Sequence, residues 1–201
     1  PDNEYYLSGF RAISYSRPLI LLVYTDKTQY IIPALENDHA RKNAKVDEFF
    51  VYHEIVQNRH LHTNYGQLLE QILNDLPQDS VLGIEMGIVP ASVYQFLREK
   101  GFSIKDIGQD LIDLRAVKDE EEIYWLEQAG YLSDVALEAS FAQVKAGMTE
   151  LEFDSFGDRK LLETASQKYP DLIVGYENWT CSGIERSSMP HLASSTRKFR
   201  E

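Results

Sequence analysis

The residues best suited to chemistry lie together near the end of the chain, in residues 176–197 (YENWTCSGIERSSMPHLASSTR). This stretch follows the apolar residues 172–174 and sets Gly183, Pro190 and His191 among small hydroxyl side chains. Glycine and small residues let the backbone approach a ligand closely. A histidine beside them can donate to a developing oxyanion or pass protons near neutral pH. His191 is the candidate catalytic residue, with Gly183 and Pro190 as candidate substrate-binding positions. A histidine in a serine-rich loop is otherwise only a loop histidine, and the residues alone leave both readings open.

Other candidates are weaker. His60 and His62 would share one face of a strand, but residues 57–64 are polar and no third metal ligand stands nearby. They read as surface histidines, as do the solitary His39 and His53. Glu120, Glu121 and Glu122 could be acid/base carboxylates, but a general acid needs burial or a close like charge to tune its pKa. A charge run at a helix start is expected to be a solvated face. Cys181 is the only cysteine. It rules out an intrachain disulfide and fits a reducing compartment. It could be a nucleophile, but a small buried residue is the expected role.

The elements that must position these residues fall into two patterns. In the first half, residues 19–24 (LILLVY) and 28–32 (TQYII) flank the turn Thr25-Asp26-Lys27 and read as a hairpin. Residues 48–52, 81–85 and 103–107 read as further strands. Leu68, Leu69, Ile72, Leu73 and Leu76 have helical spacing. Pro90 suits a first helical position, and a helix bearing Val93, Phe96 and Leu97 stops at Gly101. Alternating strands and helices predict an α/β layer. The second half changes character. The acidic residues of 118–122 (KDEEE) sit where a helix dipole favours them. The spacing of Ile123, Leu126, Ala129, Leu132, Ala136 and Ala139 predicts a helix to about Ala146, closed by Gly147. Thr149 and Glu152 form a capping box for the next helix, with Met148 and Phe153 as its hydrophobic staple. The boundary between the patterns is expected near residues 109–115, giving domains 1–112 and 113–201.

Bulk properties narrow the function classes. The 201 residues, 43% of them apolar, suffice for a packed core. The net charge of −12 argues against a basic nucleic-acid-binding face. No apolar run reaches about 18–20 residues, so no membrane span is expected, and no signal peptide is expected either. A cytoplasmic protein is expected. The chain opens on Pro1 rather than Met, which suggests a start inside a longer parent.

Four motifs in order carry a resemblance. Residues 3–10 (NEYYLSGF) resemble the N-x-x-Y-L-T/S-G-F segment of creatinase-type N-terminal domains. Residues 114–123 (LRAVKDEEEI) resemble the entry to the first helix of the pita-bread catalytic domain. Residues 147–150 (GMTE) look like the corner between its first two helices, and residues 182–191 (SGIERSSMPH) like the S-G-x-x-s-x-x-P-H strand and loop. Together they are similar to the Xaa-Pro peptidase/prolidase/creatinase family. The resemblance implies an α/β, creatinase-like (ribonuclease-H-like) N-terminal domain followed by an incomplete α+β pita-bread domain. It implies that His191 contacts substrate and stabilises the tetrahedral intermediate. It also implies two divalent ions, manganese or cobalt, that activate a bridging water in the full-length parent. The implied partners are a proline-containing peptide substrate and a second copy of the chain in a homodimer.

The departures shape the expectation as much as the match. The chain ends at residues 195–201 (STRKFRE), where the family's Gly-Asp would come next. All five implied ligands, two Asp, one His and two Glu, would follow Glu201. No metal ligand is assigned in this chain, and the 201-residue chain is expected to be hydrolytically inactive and prone to associate. Leu192 stands where many relatives carry a small residue. Two alternatives share the fold: a creatinase-type, metal-free C–N hydrolase using His191 as acid and base, and a non-catalytic peptide-binding module.

Overall fold

A computed structural model describes residues 2–12, 17–55, 61–77, 79–189 and 192–200. The chain divides into two compact units, Pro1–Val117 and Lys118–Glu201. The boundary anticipated at 112/113 falls inside a helix, α5 (Gly108–Ala116), and the division follows the end of that helix.

Unit 1 runs α1 (Asp2–Ser8), β1 (Ile20–Val23), β2 (Thr28–Pro33), a 3-10 turn (Ala34–Glu36), α2 (Asn37–Asn43), β3 (Glu48–Tyr52), α3 (Tyr65–Asn74), β4 (Val81–Ile84), α4 (Ala91–Glu99), β5 (Ser103–Asp106) and α5. The hairpin forms as its turn residues predict. β1 and β2 pair antiparallel from Val23↔Thr28 outward, and Tyr24 N donates to Lys27 O at 2.9 Å. A parallel neighbour needs a crossover connection; α2 supplies it between β2 and β3, and α4 between β4 and β5. Pro90 caps α4 rather than opening it.

Period-two alternation on β2 builds a core on each side of the three-stranded sheet. Ile31 joins Leu68, Leu69, Ile72 and Leu73 of α3, together with Leu97 and Phe102. Tyr30 and Ile32 point the other way, to Phe10, Ala12 and Ala40. The α3 leucines and isoleucine form one stripe, and each buried side chain contributes about 1.5–3 kcal/mol. Polar contacts hold α1. Asn3 donates to Glu85 and accepts from Arg115 Nη1 at 2.6 Å. The Glu4 carboxyl accepts from the Tyr30 hydroxyl. Burial pushes that carboxyl up to about 7, and the negative charge of Glu85 acts in the same direction.

Unit 2 contains α6 (Glu120–Phe141), α7 (Glu150–Lys168) and the short α8 (Gly183–Ser187). Among its described residues no strand forms, only an isolated antiparallel bridge between Thr149 and Lys198. Both long helices begin with capping boxes, Asp119 with Glu122 and the anticipated Thr149 with Glu152. The end of α6 differs from expectation. The helix stops at Phe141, because hydrogen bonding tightens to three-residue turns: Gln143 N donates to Ser140 O and Val144 N to Phe141 O. Gly147, with φ of 84°, shapes the turn into α7 instead of closing α6.

The buried stripe of α6 also sits later than the spacing predicts. Ala136 and Ser140 are buried, whereas Ile123 and Leu126 are exposed. The reason is a close crossing with α7. A Cβ on Gly157 would lie 2.7 Å from Ser140 Oγ and 2.9 Å from the Ala136 carbonyl oxygen. The Ser140 hydroxyl donates to Phe153 O at 2.7 Å. Phe153 stands edge-on to Phe141 and Phe199, with ring centroids 5.3 and 5.5 Å away. Gly157→Ala is therefore expected to force the helices apart and to lower the unfolding free energy by about 1–3 kcal/mol, despite alanine's better helix propensity. Both tryptophans, Trp125 and Trp179, belong to unit 2, so their fluorescence in a urea titration reads this change directly. An unchanged midpoint would contradict the close crossing. Among the described residues no helix is long and apolar enough to cross a membrane.

Candidate active site

The candidate site residues belong to unit 2. Gly183 begins α8, with φ of 78°. Pro190 and His191 lie outside the described residues. The strand implied by resemblance at residues 182–191 is not what forms: residues 183–187 are helical. The left-handed Gly183 turns the chain at Ser182 into a helical turn, which a strand could not accommodate.

Gly183 is held against the Arg197 guanidinium. A Cβ added there would meet Arg197 Nη2 at 2.8 Å. Gly183→Ala combines this clash with a left-handed backbone that costs a side-chain-bearing residue about 1–2 kcal/mol. The substitution is expected to displace Arg197 and lower the urea midpoint of unit 2. A variant as stable as the parent chain would show that the close approach is not needed.

Two carboxylates one turn apart on α7 organise the surrounding chain. Glu150 is fully buried. Its Oε1 accepts from Ser182 N at 2.7 Å and Ser182 Oγ at 2.8 Å. Its Oε2 accepts from Ser195 N at 2.9 Å and Ser195 Oγ at 2.7 Å. Arg186 completes the set, with Nε 3.2 Å from Oε1 and Nη2 3.1 Å from Oε2. Burial pushes the Glu150 carboxyl up, but the hydrogen bonds from Ser182 and Ser195 outweigh it and hold it down at about 2. Asp154, also buried, accepts from the hydroxyls of Thr180 and Ser194. The backbone N–H of Thr180 donates to Ser194 Oγ at 2.7 Å.

These bonds draw residues 180–182 and 192–195 together at the neck of one loop. Arg186 Nη2 donates to Ala193 O at 2.8 Å, and Cys181 Sγ donates to Leu192 O at 2.9 Å. Cys181 is half-buried in that neck rather than a fully buried core residue. On the far side, Glu150 N and Leu151 N at the start of α7 donate to Arg197 O and Ser195 O at 3.0 and 3.2 Å. The sequence marks Glu152 as a cap and Glu150 as part of the 147–150 corner, but assigns neither Glu150 nor Asp154 a place at the site. The i, i+4 spacing of two acids facing a serine-rich segment was the available signal.

The remaining histidine candidates belong by sequence to unit 1. His39 contacts Glu36 in unit 1 at 3.2 Å, and His60 lies outside the described residues. Among the described residues no three His, Cys, Asp or Glu side chains group to hold a metal ion. A cleft of about 260 Å³ in unit 1, lined by Tyr24, Lys27, Gln29 and Asp75 among others, contains none of the candidate residues.

Comparison with known proteins places these observations. The Xaa-Pro dipeptidase of Pyrococcus furiosus is 24% identical over 201 residues, covering 99% of this chain and 51% of that protein. The solved prolidase from Pyrococcus furiosus superposes with a TM-score of 0.69 at 22% identity, over 100% of this chain and 52% of that one. An X-Pro aminopeptidase structure from Thermotoga maritima gives 0.68 at 20% identity, over 99% of this chain and 51% of that one. The chain thus spans about half the length of these relatives and shares the fold of that part. The profile of the creatinase/prolidase N-terminal domain matches residues 1–117, more than half of the sequence, and the chain belongs to that family.

Proposed function

We propose that this chain is part of a metal-dependent peptidase that hydrolyses Xaa-Pro bonds. The observation that carries the reading is the likeness of nearly the whole chain, both units included, to an Xaa-Pro dipeptidase. The sequence of unit 2 adds to it, because Gly183, Pro190 and His191 stand in the order of the family's S-G-x-x-s-x-x-P-H pattern that residues 182–191 resemble. Proline's tertiary amide lacks an N–H and a freely chosen φ, so its hydrolysis calls for a dedicated pocket. In this reading Gly183 and Pro190 border the substrate, and His191 donates to the oxyanion of the tetrahedral intermediate.

The same proposal takes unit 1 as the creatinase-like, ribonuclease-H-like domain and unit 2 as the first part of an α+β pita-bread domain. The two βαβ connections of unit 1 support the first assignment, and the capped α6–α7 pair supports the second. The carboxylates that the structure brings together, Glu150 and Asp154, are turned to hydroxyl, amide and guanidinium donors. The described residues therefore do not form a centre for manganese or cobalt. In this reading the metal ligands belong to the part of the longer parent that this chain does not span, since it covers 51% of the Pyrococcus furiosus dipeptidase. It extends to a cytoplasmic homodimer. The single cysteine fits a reducing compartment, and exposed Leu126, Phe141 and Ile173 offer apolar surface for association.

The deciding experiment assays the full-length parent, supplied with manganese or cobalt, on Xaa-Pro dipeptides and longer Xaa-Pro peptides beside Xaa-Ala controls. Proline-dependent hydrolysis that a chelator removes is the expected result. Binding without turnover would replace the reading by a peptide-binding module, and metal-independent C–N hydrolysis by a creatinase-type enzyme. The 201-residue chain alone should hydrolyse none of these peptides; turnover by it would overturn the assignment of the ligands to sequence beyond Glu201.

A further inference from the structure

We propose that Glu150 and Asp154 are positioning residues of the peptidase site, fixing from α7 both flanks of the loop that begins at Gly183. The inference rests on the peptidase reading above and adds to it which residues set the loop's place. Glu150 reaches both flanks of the loop, Ser182 before it and Ser195 after it, with one oxygen for each. Asp154 does the same one helical turn further on, with Thr180 before and Ser194 after. Two carboxylates at i and i+4 lie on one face of a helix, so both flanks of the loop are referred to a single rigid element. Arg186 ties the interior to this frame, bridging Glu150 and the Ala193 carbonyl.

The arrangement exceeds what is needed to cover a core. Glu150 accepts four hydrogen bonds from serines and two contacts from a guanidinium. Burying so polar a set contributes little net stability over a packed apolar cluster of the same shape. What it does provide is one allowed geometry, because a charged acceptor with all its lone pairs used fixes its donors in direction as well as distance. A loop held this way keeps its backbone in register with whatever it must contact. A displacement of about 1 Å in a catalytic group costs on the order of 10²-fold in rate.

The test uses the full-length, metal-loaded parent and variants that each remove part of the neck. Ser194→Ala deletes the hydroxyl shared by Asp154 and Thr180, and Ser182→Ala deletes one donor to Glu150; both leave every charge in place and are expected to fold. Asp154→Ala and Asp154→Asn complete the series. At temperatures well below each variant's unfolding midpoint, kcat for an Xaa-Pro dipeptide is expected to fall about 10-fold for the serine variants and about 10²-fold for Asp154→Ala. Asp154→Asn should recover part of the loss, KM should move little and metal content should stay unchanged. Hydrogen exchange should rise at residues 180–189 and 192–195. A kcat per folded molecule equal to that of the parent in all four variants would overturn the proposal, even if their stability fell. A parent without Xaa-Pro hydrolysis would overturn the peptidase reading together with it. A parent that is active and sensitive at His191 but indifferent to the neck would overturn the positioning role alone.

Discussion

Replacing His191 by alanine in the full-length parent is expected to lower kcat for an Xaa-Pro dipeptide by about 10²–10³-fold, the range seen when one oxyanion donor is lost. The argument is differential binding. A ground-state amide oxygen carries only partial charge, whereas the tetrahedral intermediate concentrates a full negative charge there. A donor aimed at that oxygen is stronger in the transition state than in the bound substrate, so its loss falls on kcat and kcat/KM together and spares KM. Steady-state kinetics on one dipeptide separate the cases. A raised KM with intact kcat would make His191 a substrate-binding residue only. Unchanged kinetics would return it to an ordinary loop histidine, and the peptidase reading would lose its principal residue in this chain. Loss of all turnover in a protein that works without metal would instead favour acid–base use of the imidazole in a C–N hydrolase.

How far the fold could be read from the residues depended on what each element buries. β1, β2 and β3 were legible because their apolar residues serve two cores on opposite faces of one sheet, and α3 because four adjacent apolar positions form its buried stripe. α1, α2 and α5 gave no such signal. α1 buries Asn3 and Ser8, α2 buries only Ala40, and α5 buries nothing. A helix anchored by polar contacts, as α1 is through Asn3 and Glu4, leaves no apolar period to detect. In α6 the alanine-rich run to Ala146 contains no helix breaker, so propensity overstated its length. The helix ends where hydrogen bonding tightens to three-residue turns, Gln143 N to Ser140 O and Val144 N to Phe141 O. Glu120, Glu121 and Glu122 read as a solvated charge run; Glu120 and Glu121 are exposed, while the half-buried Glu122 forms a capping box with Asp119.

The site was legible as a segment but not as a mechanism of support. Small residues and a histidine marked residues 176–197, and within that range Thr180, Ser182, Ser194 and Ser195 are the residues that bond to Glu150 and Asp154. The carboxylates behind the loop were hidden by distance along the chain. Ser182 and Ser195 lie 32 and 45 residues from Glu150. At the first turn of a helix an acid already has a local reason to exist in the macrodipole, so only its i, i+4 spacing with Asp154 pointed to a second one. α8 was masked differently. Resemblance suggested a strand at Ser182, and only the left-handed backbone of Gly183 shows why the chain curls instead.

Glu150→Ala should destabilise unit 2 more than any other single change to a polar residue described here, by about 3–5 kcal/mol, the cost of breaking a buried ion pair from one side. The substitution leaves the Arg186 guanidinium without its carboxylate. It also removes the acceptor of the half-buried Ser182 and Ser195 donors, whose partner carboxylate had no solvent exposure. The pH dependence gives a second signature with a definite sign. The carboxyl sits at about 2 in the folded chain, against an ordinary 4.5, so the unfolded chain takes up the proton first. The carboxylate's contribution is therefore complete above about 4.5 and is lost as pH falls from there through about 2. Urea titrations followed by Trp125 and Trp179 fluorescence at pH 7, 4.5 and 3 measure both effects. Other acids titrate in the same window, Glu152 among them, whose carboxyl is held low by hydrogen bonds from Thr149. The informative quantity is thus the difference between the parent chain and Glu150→Ala. That difference should be largest at pH 7 and shrink steadily on acidification. A difference constant across the three pH values would mean that Glu150 contributes through packing rather than through its charge, and the ionic neck of the loop would have to be abandoned.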